Sequence, residues 1–186
     1  MKRLLDIVVV ALLAPIAVPV ALVIGALIRL TSPGPALYWS RRVGKDEQIF
    51  VMPKFRTMRI DTPAVATHLL EDPLGWLTPQ GSFLRRTSLD EIPQLWCLLT
   101  GDMTLVGPRP ALFNQIDLMA LRRAEGVAAQ VPGITGWAQV NGRDELSIPD
   151  KVRFEVEYRH HESLWLDLKI LLLTARRMIR PTGVSH

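Results

Sequence analysis

The chain has 186 residues, 22 Lys and Arg against 18 Asp and Glu, a formal charge of +4 and one cysteine, Cys97. That length supports one domain with a sizeable core and a small appendage at most. The mild positive balance suits an anionic small molecule, an anionic lipid or nucleic acid without choosing among them. A lone cysteine excludes an intrachain disulfide framework and fits a reducing compartment.

Mean hydropathy is +0.19, high for a soluble domain, and the excess sits at the N-terminus. Lys2 and Arg3 precede an almost unbroken apolar run from Ile7 to Ile28, long enough for a bilayer core, which takes about 20 helical residues. It is long for a signal peptide and no small-residue cleavage site follows it. Pro15 and Pro19 share one helical face inside it and remove backbone donors there. Lys2 and Arg3 lie before the run and Arg29, Arg41 and Arg42 after it, so the positive-inside rule assigns no direction to a straight crossing. The charges fit both ends if the segment enters, bends at the prolines and returns, with arms of about 15 Å each. A kinked full span and a buried soluble helix are the other dispositions.

The cluster Thr31–Pro35 breaks the helix. Ala36–Tyr38 and Gln48–Met52 read as short strands around a turn at Gly44–Asp46. Lys54, Arg56 and Arg59 follow as closely spaced cations interleaved with Phe55 and Met58, which points to a partly buried wall. Residues 60–81 read as a loop with a short helical piece at Ala64–Leu70, and Ala111–Ala129 as a helix with Arg122, Arg123 and Glu125 on its polar side. Gly133, Gly136 and Gly142 offer positive φ or close backbone approach. Alternating charges over Pro149–His161 predict a solvent-facing helix. Leu164–Ile179 predicts an apolar helix with Trp165 at one end and Arg176 and Arg177 at the other, suited to a membrane interface or to packing on the core.

The chemistry-bearing stretch is Arg85–Pro110. Asp90 and Glu91 are adjacent carboxylates between the pair Arg85 and Arg86 and the rigid turn Gly107-Pro108-Arg109-Pro110, with an apolar run after them. They sit at or near the start of a buried helix, where free N–H groups and the dipole favour anions. Acids kept charged among arginines suit work on a phosphate through a divalent metal. A structural alternative is a capping box, with Ser88 as cap and Glu91 reaching back to its N–H.

Several motifs in order resemble the monotopic bacterial phosphoglycosyl transferases, the bacterial sugar transferase family. They are Lys2-Arg3 with Asp6, the proline-broken apolar segment, Leu30–Pro35, Lys54–Met58, Leu84–Glu91, Gly101–Met103, Val106–Pro110 and Pro132–Arg143, which together cover nearly the whole chain. It resembles the minimal catalytic members. The implied fold is α+β and mostly helical. Residues 1–30 are expected to form a re-entrant membrane anchor broken at Pro19. Residues 31–186 are expected to form a small membrane-associated catalytic domain with short strands and interfacial amphipathic helices.

The resemblance further implies that Asp90 and Glu91 are catalytic and bind Mg²⁺, and that the substrates are a UDP-sugar and a polyprenol phosphate such as undecaprenyl phosphate. The expected location is the cytoplasmic face of the bacterial inner membrane. Arg85, Lys54, Arg56, Arg109 and Arg143 are the candidate phosphate contacts. Membrane lipids and a second copy of the chain are candidate partners. In the expected route Asp90 attacks the β-phosphorus and carries the phosphosugar; in the alternative, the two acids only hold metal within a ternary complex. A membrane-anchored nucleic-acid module is disfavoured, because neither a base-stacking aromatic stripe nor a helix-turn-helix pattern is present. Val18, Pro53, Cys97 and Val131 depart from the usual family residues, and Val131 puts one phosphate contact in question.

Overall fold

The computed structural model describes residues 2–63, 72, 74–142 and 146–179. The chain opens with helix α1 (Lys2–Thr31), then strands β1 (Leu37–Val43) and β2 (Ile49–Phe55) joined by a tight turn at Lys45–Glu47. Helix α2 (Gly81–Thr87) leads through a 3-10 helix (Leu89–Gln94) into α3 (Leu95–Thr100). Then come β3 (Thr104–Val106), β4 (Ala111–Leu112), α4 (Ile116–Ala124), β5 (Gly133–Thr135), α5 (Trp137–Asn141), α6 (Ile148–His160) and α7 (Leu164–Ile179). The order β2-β1-β4 makes one small sheet and the pair β3-β5 another. The α+β, mostly helical class expected from the sequence is the class observed.

Helix α1 is apolar all round. Val10, Ile24 and Ile28 are buried, whereas Leu4, Leu12, Ile16, Leu22, Val23 and Leu30 stand exposed. A helix with one packed stripe and an equally apolar outer face suits lipid rather than water. It is the one helix among the described residues long and apolar enough to cross a membrane. Pro15 and Pro19 both lie inside it, and helical assignment continues through them.

The chain packs as two compact units. The smaller comprises Ala11–Ser40 and Pro53–Leu95. Ile24 and Ile28 of α1, Phe55 of β2 and Leu84 of α2 form its core, with Leu89 and Ile92 packed against them. The end of α1 is tied down by polar contacts: Thr31 Oγ1 donates to the Leu27 carbonyl at 2.7 Å, and Arg56 donates to the carbonyls of Ser32, at 3.0 Å, and Pro33. Helix ends leave such carbonyls without internal partners, and a guanidinium there also complements the dipole. Buried Thr57 accepts the Thr78 N–H on its carbonyl at 2.9 Å.

The larger unit comprises Met1–Val10, Arg41–Met52 and Trp96–His186. The first turns of α1 are bonded within it. Asp6 accepts from Thr104 Oγ1 at 2.9 Å and from the Leu105 N–H at 2.9 Å. Arg3 donates to the Leu98 and Leu99 carbonyls near the end of α3. Lys2 donates to Tyr158 Oη at 2.5 Å and pairs with Glu162 at 2.8 Å. Tyr158 in turn donates to buried Asp167 at 2.6 Å. Burial, then the bond to Asp167, pushes the Tyr158 phenol well above its ordinary range.

Strands β3 and β5 run parallel with Thr104 opposite Gly133 and Val106 opposite Thr135. The stitch continues as Gly107 N–H to the Thr135 carbonyl, 2.9 Å, and Gly133 N–H to the Pro108 carbonyl, 2.8 Å. A Cβ at Gly133 would lie 2.1 Å from the Gly107 nitrogen and 2.5 Å from the Thr135 carbonyl. Backbone cannot yield as a flexible side chain does, so Gly133→Ala should cost about 3 kcal/mol or more. The midpoint of thermal unfolding should then fall by roughly 6–12 °C. An unchanged midpoint in detergent would contradict that packing.

Three local expectations are corrected. The helix expected over Ala111–Ala129 is shorter: β4 takes its first residues, and α4 stops at Ala124 ahead of Gly126, whose φ is +70°. The helix α6 is not solvent-facing all round, because Val152, Glu155 and Tyr158 are buried on one stripe. Gly133, Gly136 and Gly142 serve close approach or extended backbone, and the positive-φ glycines among the described residues are Gly34, Gly101 and Gly126. The helical piece expected at Ala64–Leu70 lies outside the described residues.

Candidate active site

The site is built by a turn in the smaller unit. Helix α2 ends with Arg85 and Arg86 in its last turn and closes on Ser88, which adopts the left-handed conformation at φ 56°. That residue redirects the chain into the 3-10 helix, where the Glu91 N–H bonds the Ser88 carbonyl at 3.1 Å. Ser88 makes no side-chain cap bond, so the capping-box alternative does not hold. The Glu91 carboxylate goes elsewhere: it meets Lys54 Nζ of β2 at 2.7 Å.

Asp90 is buried on the same 3-10 helix. Burial, and next the charge of Glu91, raise its pKa to about 6, while Lys54 and Arg85 pull the other way. Arg85 is half-buried, and its Nε donates to Thr57 Oγ1 at 3.0 Å. Loss of water lowers the Arg85 pKa, and the Asp90 charge opposes that fall. The structure therefore brings four of the sequence-predicted residues into one electrostatic cluster: Asp90, Glu91, Lys54 and Arg85. Two adjacent acids repel one another, and a further cation between them would relieve that repulsion.

The donor set suits a hard divalent ion. Carboxylate oxygens are the ligands Mg²⁺ prefers, and it is commonly held by one or two of them with phosphate and water completing the shell. No group of three or more His, Cys, Asp or Glu residues arranged to hold a metal occurs among the described residues. An ion at Asp90 and Glu91 would accordingly take further oxygens from a ligand and from water.

Residues 1–181 match the family described as bacterial sugar transferase. The chain belongs to the bacterial sugar transferase family. Among its relatives, the uncharacterized sugar transferase EpsL of Bacillus subtilis is 38% identical over 100% of this chain and 91% of its own length. The UDP-glucose:undecaprenyl-phosphate glucose-1-phosphate transferase of Escherichia coli is 40% identical over 94% of this chain, which spans only 39% of that protein. The transferase of the same name from Caulobacter vibrioides is 40% identical over 96% of this chain and 69% of its own length.

The remaining candidates of this bacterial sugar transferase lie as follows. Arg56 is buried and its guanidinium is engaged with the Ser32 and Pro33 carbonyls. Arg109 belongs to the larger unit, where its carbonyl accepts from Arg122 at 2.9 Å. Arg143 lies outside the described residues. Cys97 is buried, and burial followed by the nearby charge of Asp102 pushes its thiol up to about 11, which leaves it inert as a nucleophile. Sequence reading passed over Gln94, the other buried residue of the helix that carries Asp90.

Proposed function

We propose that the chain transfers a phosphosugar from a UDP-sugar to a polyprenol phosphate, releasing UMP, as a membrane step of glycoconjugate assembly. The observation that carries this reading is Asp90: a buried carboxylate beside Glu91, flanked by Lys54 and Arg85, in a chain of this family. A carboxylate facing a diphosphate needs charge cancellation and a fixed line of attack. Lys54 and Arg85 supply cations within the same unit, and burial removes the water that would otherwise shield Asp90. Asp90 and Glu91 would hold Mg²⁺, whose chemistry when bound is neutralisation of the diphosphate charge.

In the first half-reaction an Asp90 oxygen bonds the β-phosphorus as the bond from that phosphorus to UMP breaks. The product is an aspartyl phosphosugar. In the second, a polyprenol phosphate oxygen bonds the same phosphorus and Asp90 leaves as a carboxylate. The proposed phosphate contacts are Arg85 and Lys54, with Arg56, Arg109 and Arg143 assigned on their motifs.

Residues 1–30 are proposed as a re-entrant anchor and 31–186 as the catalytic part. The early turns of α1 bond within the larger unit through Arg3 and Asp6, and Ile24 and Ile28 pack within the smaller. No other described helix is long and apolar enough to cross a bilayer. Pro15 and Pro19 both lie within α1, which supports a bend there and a return to the cytoplasmic face of the inner membrane. On α7, Trp165, Leu168 and Leu172 form an exposed apolar stripe, which supports an interfacial helix. The logic of the placement is chemical: one substrate is aqueous and the other carries a buried tail.

Incubating the protein with a panel of UDP-sugars and no acceptor tests the route. Stoichiometric UMP from one of them is the expected result, and UMP appearing only after polyprenol phosphate is added favours the ternary-complex alternative. That UMP release should also decline as pH drops below about 6 at limiting Mg²⁺, because protonated Asp90 is no nucleophile. A rate that stays flat down to pH 4 would contradict the role given to Asp90.

A further inference from the structure

We propose that Lys54 is an exchangeable counter-ion for Glu91: its ammonium neutralises that carboxylate while the acid pair lacks a divalent cation, and passes to a donor phosphate oxygen once the cation is bound. The proposal rests on the transfer reading above and adds to it the way charges are matched as ligands arrive. Lys54 Nζ lies 2.7 Å from Glu91 Oε1, and the two side chains are 17% and 23% exposed, so water and ions reach the pair. Both residues belong to the smaller unit, together with Asp90 and Arg85.

Charge matching explains why the pair should open. The charges acting on buried Asp90 are those of Glu91, Lys54 and Arg85. With Asp90 itself, two acids face two cations and cancel. A divalent ion added to this set leaves it doubly positive, and the doubly negative diphosphate of a UDP-sugar restores neutrality. Metal and donor should therefore each strengthen the other's binding. The protein offers the ion little beyond the acid pair: among the described residues, no group of three or more His, Cys, Asp or Glu could hold a metal. Of the two cations, Lys54 is the one suited to change partner. Arg85 is a rigid fork whose Nε is given to Thr57 at 3.0 Å, whereas an ammonium on a flexible stem can turn its donors to a new oxygen. An ammonium and a divalent ion at one carboxylate also repel each other, which favours release of Lys54.

Magnesium titration of the full chain in detergent at pH 8, followed by calorimetry without donor, tests the exchange before any chemistry occurs. Lys54→Met keeps the length of the side chain and removes its charge. It should bind Mg²⁺ about fivefold tighter or more than the parent, because no internal cation competes. Magnesium should correspondingly raise its unfolding midpoint by more than it raises the parent's. Lys54→Arg retains the cation and should bind Mg²⁺ no tighter than the parent, and Glu91→Gln should lose the binding. A non-transferable UDP-sugar analogue should tighten Mg²⁺ binding to the parent by about tenfold or more, and to Lys54→Met by clearly less. Lys54→Gln carries the test if the Met variant fails to fold. Equal or weaker Mg²⁺ binding by the neutral variants overturns the proposal and makes Lys54 a fixed partner of Glu91. Binding untouched by Glu91→Gln overturns it too, since the metal then lies elsewhere. Equal tightening by the analogue in parent and Lys54→Met removes the passage of the ammonium to phosphate. A UDP-sugar panel that yields no UMP removes the transfer reading, while the donor-free titration still decides whether Lys54 and the metal compete.

Discussion

Asp90→Asn should abolish phosphosugar transfer and, without metal, make the protein harder to unfold at neutral pH. Removing a covalent nucleophile costs at least about 10³-fold in turnover, and asparagine of nearly the same shape leaves the pocket filled. The stability gain has a definite sign. Asp90 has its pKa raised from 3.8 to about 6 by burial and by Glu91, so the folded chain disfavours its ionised form. The penalty is absent below the unfolded value, grows between about pH 4 and 6, and is complete above. Asparagine never ionises, and the variant should therefore exceed the parent by of order 2–3 kcal/mol at pH 8 in chelator. The difference should close below about pH 4. Equal unfolding midpoints across that range would mean that Asp90 is not charged against a desolvation penalty. Such a trade of stability for activity is common at reactive sites.

The second large effect lies away from the chemistry. Arg122 of α4 and Glu155 of α6 form a two-pronged pair at 2.8 and 2.5 Å, with side chains 6% and 2% exposed. Arg122 also donates to the Arg109 carbonyl at 2.9 Å. Removing one partner strands the other charge without water, which typically costs about 3–5 kcal/mol. Glu155→Ala should accordingly lower the unfolding midpoint by roughly 10 °C or more. The double replacement Arg122→Met with Glu155→Leu should recover most of that loss, because apolar pairs of similar volume often substitute for buried ions. Differential scanning fluorimetry on the parent, Glu155→Ala, Arg122→Met and the double variant reads this directly. Additive losses in the double variant would show that the two side chains do not act as a pair.

Much of the architecture could be read from the chain, and the reasons differ by element. The Ile7–Ile28 run, the Thr31–Pro35 breakers, the β1–β2 hairpin and α7 announce themselves by local pattern, and each appears where the pattern puts it. The hairpin strands extend further than expected, to Val43 and Phe55, because pairing continues past the apolar residues that signalled them. Glu155 misled for the opposite reason. It sits in a regular alternation of charge that reads as a solvated face, and its partner Arg122 is 33 residues away. No local rule identifies an ion pair that is buried only once two helices meet.

The acid pair shows the same division. Adjacent carboxylates among arginines marked the place, and the resemblance supplied the chemistry. Sequence alone offered Ser88 as a helix cap, a reading defeated by its left-handed backbone. It could not show that Lys54, 37 residues earlier, would take Glu91. Nor could it show that Arg56 would spend its guanidinium on the end of α1. Those assignments depend on which strand end comes to face which helix, a long-range property that spacing does not encode.

The central claim is tested most directly by intact-protein and peptide mass spectrometry of enzyme quenched in acid after exposure to its UDP-sugar without acceptor. The account predicts a mass increase equal to one sugar phosphate, mapped to Asp90, that disappears when polyprenol phosphate is added before the quench. An unmodified Asp90 in enzyme that nevertheless turns over with both substrates would contradict it.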